Sequence, residues 1–264
     1  MIRLMARIVI FSTLVVICTE ILAQKVSESV SFDIDSKTHI ITDVYVDGKG
    51  PVKLMIDTGT SVTFLTPNAF TQLVIAGGKH KLKFGAVEVP DVNLVNSPIS
   101  MYQGVDGMVG WDVLRNFIVT IDFTAKKLYF TKKENYKKPD KAETVKFTKM
   151  MNGAIVLTVS IDGKDPVLMW YDTGTPDNIY LLPDVAQNFG LSGSGKQKVK
   201  EFKLGSEGVK FSNVEVNVYE SAIARNAIRS LGGKPVGTIG TPFFYSYSVG
   251  IDYFNNELIL VKKK

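Results

Sequence analysis

Apolar and polar residues alternate from Ser29 to Val46 with a period of two, the spacing at which a strand buries one face and wets the other. The alternation predicts strands at Val30-Ser31-Phe32-Asp33-Ile34 and over residues 40–46. Asp47-Gly48 then reads as a hairpin turn, because a two-residue turn of this kind needs positive φ at both positions. The apolar run over residues 52–56 is a further strand and ends on Asp57. More strands follow at residues 62–65, 81–84, 92–95, 118–123 and 127–130, with a short helix at residues 67–74. A lysine-rich stretch, residues 131–143, lacks apolar periodicity and holds Pro139, so it reads as a solvated linker. Beyond it the plan recurs, with strands at residues 145–147, 154–161, 179–182, 202–204, 214–216, 249–253 and 257–260, and a helix at residues 183–189. Nearly everything is strand, very little is helix, and neither half holds a dinucleotide-type glycine loop.

The recurrence is a duplication. With Asp57 laid on Asp172, residues 44–60 match residues 159–175 at ten of seventeen positions, including Asp47, Gly48, Pro51, Val52, Asp57, Thr58, Gly59 and Thr60. Unrelated segments would agree at roughly one position in seventeen. The chain length of 264 residues then divides into two lobes with a core each. The boundaries expected are residues 24–136 and 137–264.

Composition narrows the class. Hydrophobic residues at 45% and charged residues at 22% are ordinary globular values. Residues 1–23 have a basic start, an apolar core over residues 8–17 and the small residue Ala23 before Gln24, the pattern of a signal peptide. That core is too short for a membrane span of about 20 residues, so an exported protein, periplasmic or secreted, with no stable span after signal removal is expected. Cleavage after Ala23 would remove the single cysteine, Cys18, and with it any disulfide or cysteine nucleophile. It would also lower the formal net charge from +5 to +4 by removing Arg3, Arg7 and Glu20. The remaining lysines are not interleaved with a stacking aromatic platform, so no nucleic acid partner is expected.

Two copies of a strand running into a carboxylate are what a pseudo-twofold site needs, since the axis brings Asp57 and Asp172 face to face. Carboxylates that close share one proton: one pKa rises and the other falls. One member can take a proton from water while the other donates to a carbonyl oxygen, giving a gem-diol with no metal and no cofactor. Gly59 and Gly174 permit close backbone approach, and the Thr58 and Thr173 hydroxyls can bridge the halves. A glycosidase pair would also use two carboxylates, but that chemistry gives no reason for the threonine-glycine pair to repeat. His39 and His80, the only histidines, have no His-Glu-x-x-His or carboxylate cluster around them and receive no metal or catalytic assignment. Ser61 lacks a nucleophile elbow, and Trp111 reads as core.

On these residues the chain resembles the pepsin-like and retropepsin-like aspartic proteases over residues 28–264. Beyond the two Asp-Thr-Gly copies, Asp106-Gly107-Met108-Val109-Gly110-Trp111-Asp112-Val113-Leu114 is similar to the glycine-centred segment that crosses behind the catalytic loop in that family. Val236-Gly237-Thr238-Ile239-Gly240 is its counterpart. The resemblance implies an all-β fold of two homologous closed-barrel-like lobes, a bilobal monomer acting as an endopeptidase on polypeptide. It implies Asp57 and Asp172 as the dyad, Thr58 and Thr173 as a mutual grip, and Thr60 and Thr175 as hydroxyl donors to the outer carboxylate oxygens.

The chain departs from the family pattern in places. Only 28 positions separate Asp57 from the Gly85 turn and 33 separate Asp172 from Gly205, too few for a full-length hairpin flap over the dyad. Trp170 and Tyr171 are bulkier than the usual pair before the aspartate. Asp177 adds a carboxylate that could disturb the dyad. The run Ser192-Gly193-Ser194-Gly195 reads as a flexible loop, with a short lid as the other possibility. No propeptide-length segment is expected between Ala23 and the first strand. A non-proteolytic envelope protein that binds peptide or a partner in the same cleft is the rival reading.

Overall fold

The computed structural model describes residues 29–98, 104–206, 208–233 and 235–263; the segment expected to be a signal peptide, with Cys18, lies outside them. In chain order the strands are β1 (Ser29–Ser31), β2 (Asp33–Ile34), β3 (Ile40–Val46), β4 (Lys49–Ile56), β5 (Phe64–Leu65), β6 (Gly78–Phe84), β7 (Val87–Asn96), β8 (Gly107–Val109), β9 (Ile118–Asp122) and β10 (Lys127–Thr131). The second half supplies β11 (Glu143–Lys149), β12 (Ile155–Ile161), β13 (Val167–Tyr171), β14 (Ile179–Leu181), β15 (Gly195–Leu204), β16 (Val209–Val218), β17 (Gly237–Ile239), β18 (Tyr247–Asp252) and β19 (Glu257–Lys262).

Each half closes on itself. In the first, the order β3-β4-β8-β5-β7-β6 returns through a β3–β6 pairing; in the second, β12-β13-β17-β14-β16-β15 returns through β12–β15. Closure follows from the same turn chemistry twice. Asp47 and Gly48 take φ of 50° and 80°, and Asp162 and Gly163 take 49° and 71°. Each turn aspartate then pins the next hairpin: Asp47 Oδ1 accepts from Lys81 N–H at 2.8 Å, and Asp162 Oδ1 accepts from Glu201 N–H at 2.7 Å. The alternation fills the barrels with Val44, Val52, Leu54, Leu82, Phe84 and Leu94 on one side and Val159, Ile161, Met169, Phe202, Leu204 and Val216 on the other, all buried.

The lobes are joined by the run β1-β10-β9-β18-β19-β11, three strands from each half, which continues through a β11–β12 pairing into the second barrel. Its central pairing sets Thr120 opposite Gly250. The turns leaving β9 and β18 are built alike, with Asp122 Oδ1 accepting from Thr124 and Ala125 N–H and Asp252 Oδ1 accepting from Phe254 and Asn255 N–H. In the linker, Lys138 reaches the buried Glu257 at 2.7 Å, beside Lys146 at 2.6 Å.

The helices at Pro67–Leu73 and Pro183–Ala186 fall where proline at the first helical turn predicts them. Helices are few, as expected, but one of them, Ala222–Ser230, was not expected from the sequence. Ser221 caps it by accepting from Ala224 N–H at 3.2 Å, and Ile228 packs with Tyr180 and Leu182. Trp111 sits half-buried at the lobe boundary, where a Cβ on Gly153 of the other half would run into its ring. Arg115 lies 4.4 Å over that ring, so this tryptophan closes an interlobe contact as well as edging the core. Among the described residues no helix is long and apolar enough to cross a membrane.

Candidate active site

β4 and β13 each deliver an aspartate to the lobe boundary, and a crossing strand fixes each one. β8 runs parallel to β4 and β17 parallel to β13. Asp57 N–H donates to the Val109 carbonyl at 3.1 Å, and Asp172 N–H donates to Ile239 at 3.0 Å. The crossing strands begin on glycine because a Cβ on Gly107 or Gly237 would run into the carbonyl of Phe64 or Tyr180. In the first lobe Asp112 adds a clamp that sequence reasoning missed. Its carboxylate accepts from the Thr63 hydroxyl at 2.7 Å and Thr63 N–H at 3.0 Å, while Thr63 Oγ1 accepts from Gly110 N–H at 3.0 Å.

The two motifs meet reciprocally. Thr58 N–H donates to Thr173 Oγ1 at 3.0 Å, and Thr173 N–H donates to Thr58 Oγ1 at 3.0 Å. Each hydroxyl passes its own proton across the boundary, Thr58 to the Tyr171 carbonyl at 3.3 Å and Thr173 to the Ile56 carbonyl at 2.8 Å. Asp57 is 7% exposed and Asp172 9%. Each accepts from the glycine of its own motif: Gly59 N–H to Asp57 Oδ1 at 2.7 Å and Gly174 N–H to Asp172 Oδ1 at 2.8 Å. The opposite carboxylate is as near. A Cβ on Gly59 would stand 2.7 Å from the Asp172 carboxyl atoms, and one on Gly174 would stand 3.2 Å from Asp57 Cγ and Oδ1.

Charge follows from this crowding. Burial first, then the negative charge of Asp172, push the Asp57 carboxyl well above its ordinary range, against the N–H groups of Gly59 and Thr60. Burial also raises Asp172 above its ordinary range, against the Gly174 N–H, the Asp57 carboxyl and the Thr175 hydroxyl, so both members are raised where the sequence led us to expect one to fall. Two buried carboxyls this close hold a proton between them, and it belongs to the pair rather than to either member.

Other expectations divide. Thr175 donates its hydroxyl to Asp172 Oδ2 at 3.3 Å, as the resemblance implies. Thr60 does not match it: the group that it offers Asp57 is its backbone N–H. Asp177 does not disturb the dyad, because Asn217 Nδ2 and the Tyr219 hydroxyl donate to its two oxygens at 2.6 Å each and hold it against β16. Trp170 packs on Ala154 and Leu231, and the Tyr171 ring packs edge-on against Phe244, so their bulk enters the core. Ser192 is tied to its own hairpin, its carbonyl accepting from Gln197 Nε2 at 3.0 Å. Between Asp57 and β6 stand only β5 and the Pro67–Leu73 helix, and the β6–β7 and β15–β16 hairpins are paired into their barrels, so none of these elements is a free hairpin flap. His80 bonds Asp47 and the Ala76 carbonyl, far along the chain from either motif. Among the described residues no group of three or more His, Cys, Asp or Glu could hold a metal ion.

No protein-family model matches the sequence, and no curated protein matches it. Solved structures do. The aspartic proteinase from Irpex lacteus superposes with a TM-score of 0.61 over 90% of this chain and 97% of its own, at 14% identity. This chain has the pepsin-like aspartic proteinase fold. The match shows the fold, and the 14% identity leaves the chemistry to be argued from this chain's own residues.

Proposed function

We propose that the protein is an exported aspartic endopeptidase that hydrolyses polypeptide through a water activated by Asp57 and Asp172. The observation that carries this reading is the mutual approach of the two motifs, each glycine set against the other motif's carboxylate and each threonine bonded to the other's backbone. The ionised carboxylate takes a proton from water as the water oxygen attacks the peptide carbonyl carbon. The protonated one gives its proton to the carbonyl oxygen, and the gem-diol then collapses with proton transfer to the leaving amine. Thr58, Gly59, Thr60, Thr173, Gly174 and Thr175 hold the carboxylates in register and take no proton from substrate. Among the described residues no free hairpin flap is present, so we expect little positioning energy from closure and slow cleavage of extended segments with weak selectivity.

The test is incubation of the chain from Gln24 onward with denatured casein from about pH 3 to pH 8, where the single shared proton is kept and then lost. Cleavage with an acid to mildly acid optimum is expected. A folded protein that cleaves at no pH would overturn the proteolytic reading and leave a peptide-binding module of the same fold.

A further inference from the structure

The duplication repeats a cavity as well as a motif. Each lobe has one where its long hairpin, β6–β7 or β15–β16, faces the strands that join the lobes, with a volume of about 580 Å³ in the first lobe and 640 Å³ in the second. Equivalent positions line the two. Phe117 before β9 corresponds to Tyr247 at the start of β18, and Lys132 just past β10 to Lys262 at the end of β19, each 130 residues further on. Glu88 and Val89, second and third in β7, correspond to Lys210 and Phe211, second and third in β16.

The place is kept and its chemistry is changed. The first cavity sets Lys132 and Lys133 against Glu88 and Glu134, so its charges cancel. The second sets Lys198, Lys210 and Lys262 against Glu215 alone. Glu88 and Glu215 each take a lysine from outside the cavity, Lys81 at 3.3 Å and Lys196 at 2.8 Å. That leaves Glu134 as a counter-charge in the first cavity and none in the second. Lys210 is held by Glu201 at 2.9 Å, but among the described residues Lys198 and Lys262 have no ion-pair partner. The apolar wall changes too. Phe211 stands where the first lobe has Val89, its ring 4.6 Å from Phe243 and 5.6 Å from Tyr247. Phe211 and Phe243 are only half-buried, so part of each ring stays within reach from the cavity.

We propose that the second-lobe cavity is a binding site for a small aromatic anion. Its flat ring rests against Phe211 and Phe243, where a further aromatic face adds stacking to the burial of apolar area. Its carboxylate, sulfonate or phosphate group meets Lys198 of β15 and Lys262 of β19, two cations brought together from strands far apart in the chain. An apolar wall with a few polar groups of one sign is the usual make-up of a small-molecule site, and the volume lies in the usual range. The first-lobe cavity, with valine for phenylalanine and Glu134 among its lysines, does not take the same ligand. This site does not depend on the dyad or on the proteolytic reading.

The experiment titrates 2-naphthalenesulfonate into the purified protein by calorimetry at low salt. Saturable one-to-one binding with a Kd of about 1 mM or tighter is expected, weakening as salt is raised. Lys198→Gln combined with Lys262→Gln should weaken it by about fivefold or more; both side chains are exposed, so the fold should be kept. Lys132→Gln, the equivalent change in the first lobe, should leave binding as it was. The neutral 2-naphthalenemethanol and the ringless methanesulfonate should each bind at least about fivefold more weakly than the parent probe. Absence of saturable binding overturns the inference, as does an affinity that the double variant does not move or that Lys132→Gln lowers equally. Equal binding of either control probe overturns it too, since charge or ring would then be idle. Casein cleavage enters none of these measurements, so the site and the protease reading stand or fall separately.

Discussion

Gly59 lies so close to Asp172 that a methyl group on its Cα would stand 2.7 Å from the carboxyl carbon and from both oxygens, whereas at Gly174 the nearest atoms, including Asp57 Cγ, are 3.2 Å away. The two motif glycines are therefore unequal. Gly59→Ala must push the Asp172 carboxylate aside, and a misplacement on the order of 1 Å costs about 100-fold in rate. Gly174→Ala asks for a shift of a few tenths of an ångström. Casein turnover should fall by about 100-fold in the first variant and by far less in the second; equal losses would show that backbone freedom, not space, is what glycine supplies.

The dyad should act as one unit. Asp57→Asn and Asp172→Asn each remove half of a proton-sharing pair, so each should abolish turnover about as fully as the double change. Initial rates of the three variants with one peptide substrate make the comparison. A single variant that keeps most of its activity would assign the chemistry elsewhere.

The same carboxylates set a pH dependence of stability whose sign is fixed by burial. The folded Asp57 carboxyl titrates above its ordinary value of 3.8, so its contribution to stability is present below that value and is lost as pH rises through the folded pKa. An asparagine side chain in its place never bears that loss and still offers Oδ1 to the Gly59 N–H. The Tm of Asp57→Asn, measured by calorimetry, should exceed that of the parent by a few degrees at neutral pH, on the scale of about 2–4 °C per kcal/mol. Toward pH 3 the gap should close. A gap constant with pH would refute the linkage.

Thr58→Val keeps shape and removes a hydroxyl. The buried N–H of Thr173 and the carbonyl of Tyr171 then lose their partner, at a cost of about 1–3 kcal/mol for each group left unpaired. Thr58→Ser restores both bonds and should recover most of the stability in a denaturant titration. If serine and valine were equally destabilising, packing of the methyl group would be the reason threonine stands there.

The fold is legible in the sequence where local chemistry repeats. Asp47-Gly48 and Asp162-Gly163 specify the same turn whatever surrounds them, and the strands around them alternate cleanly. Asp177 is misleading in sequence because its partners, Asn217 and Tyr219, lie forty or more residues away, and a carboxylate's orientation is set by donors that spacing does not reveal. Ala222–Ser230 is easily overlooked although its signal is local: Ser221 is a good N-cap, and alanine and arginine are strong helix formers. The hydroxyl of Thr60 cannot be placed from sequence, since identical residues in the two motifs have different neighbours. His39 is not placed by sequence either: its Nδ1 lies 2.9 Å from Asp35 Oδ2, a pairing set by the turn between them.

The sheet shared by the lobes gives them a second connection besides the linker. Hydrogen bonds between Ile118–Asp122 and Tyr247–Asp252 hold the halves together independently of the backbone over residues 132–142. A chain nicked there keeps its two fragments paired, and fragments produced separately have matching open edges on which to find each other. A lone half, with the β9 or β18 edge bare, offers that edge to a second copy of itself. Two such copies would bring together two aspartates on a true twofold axis, the arrangement that a single duplicated chain holds with its ends tied.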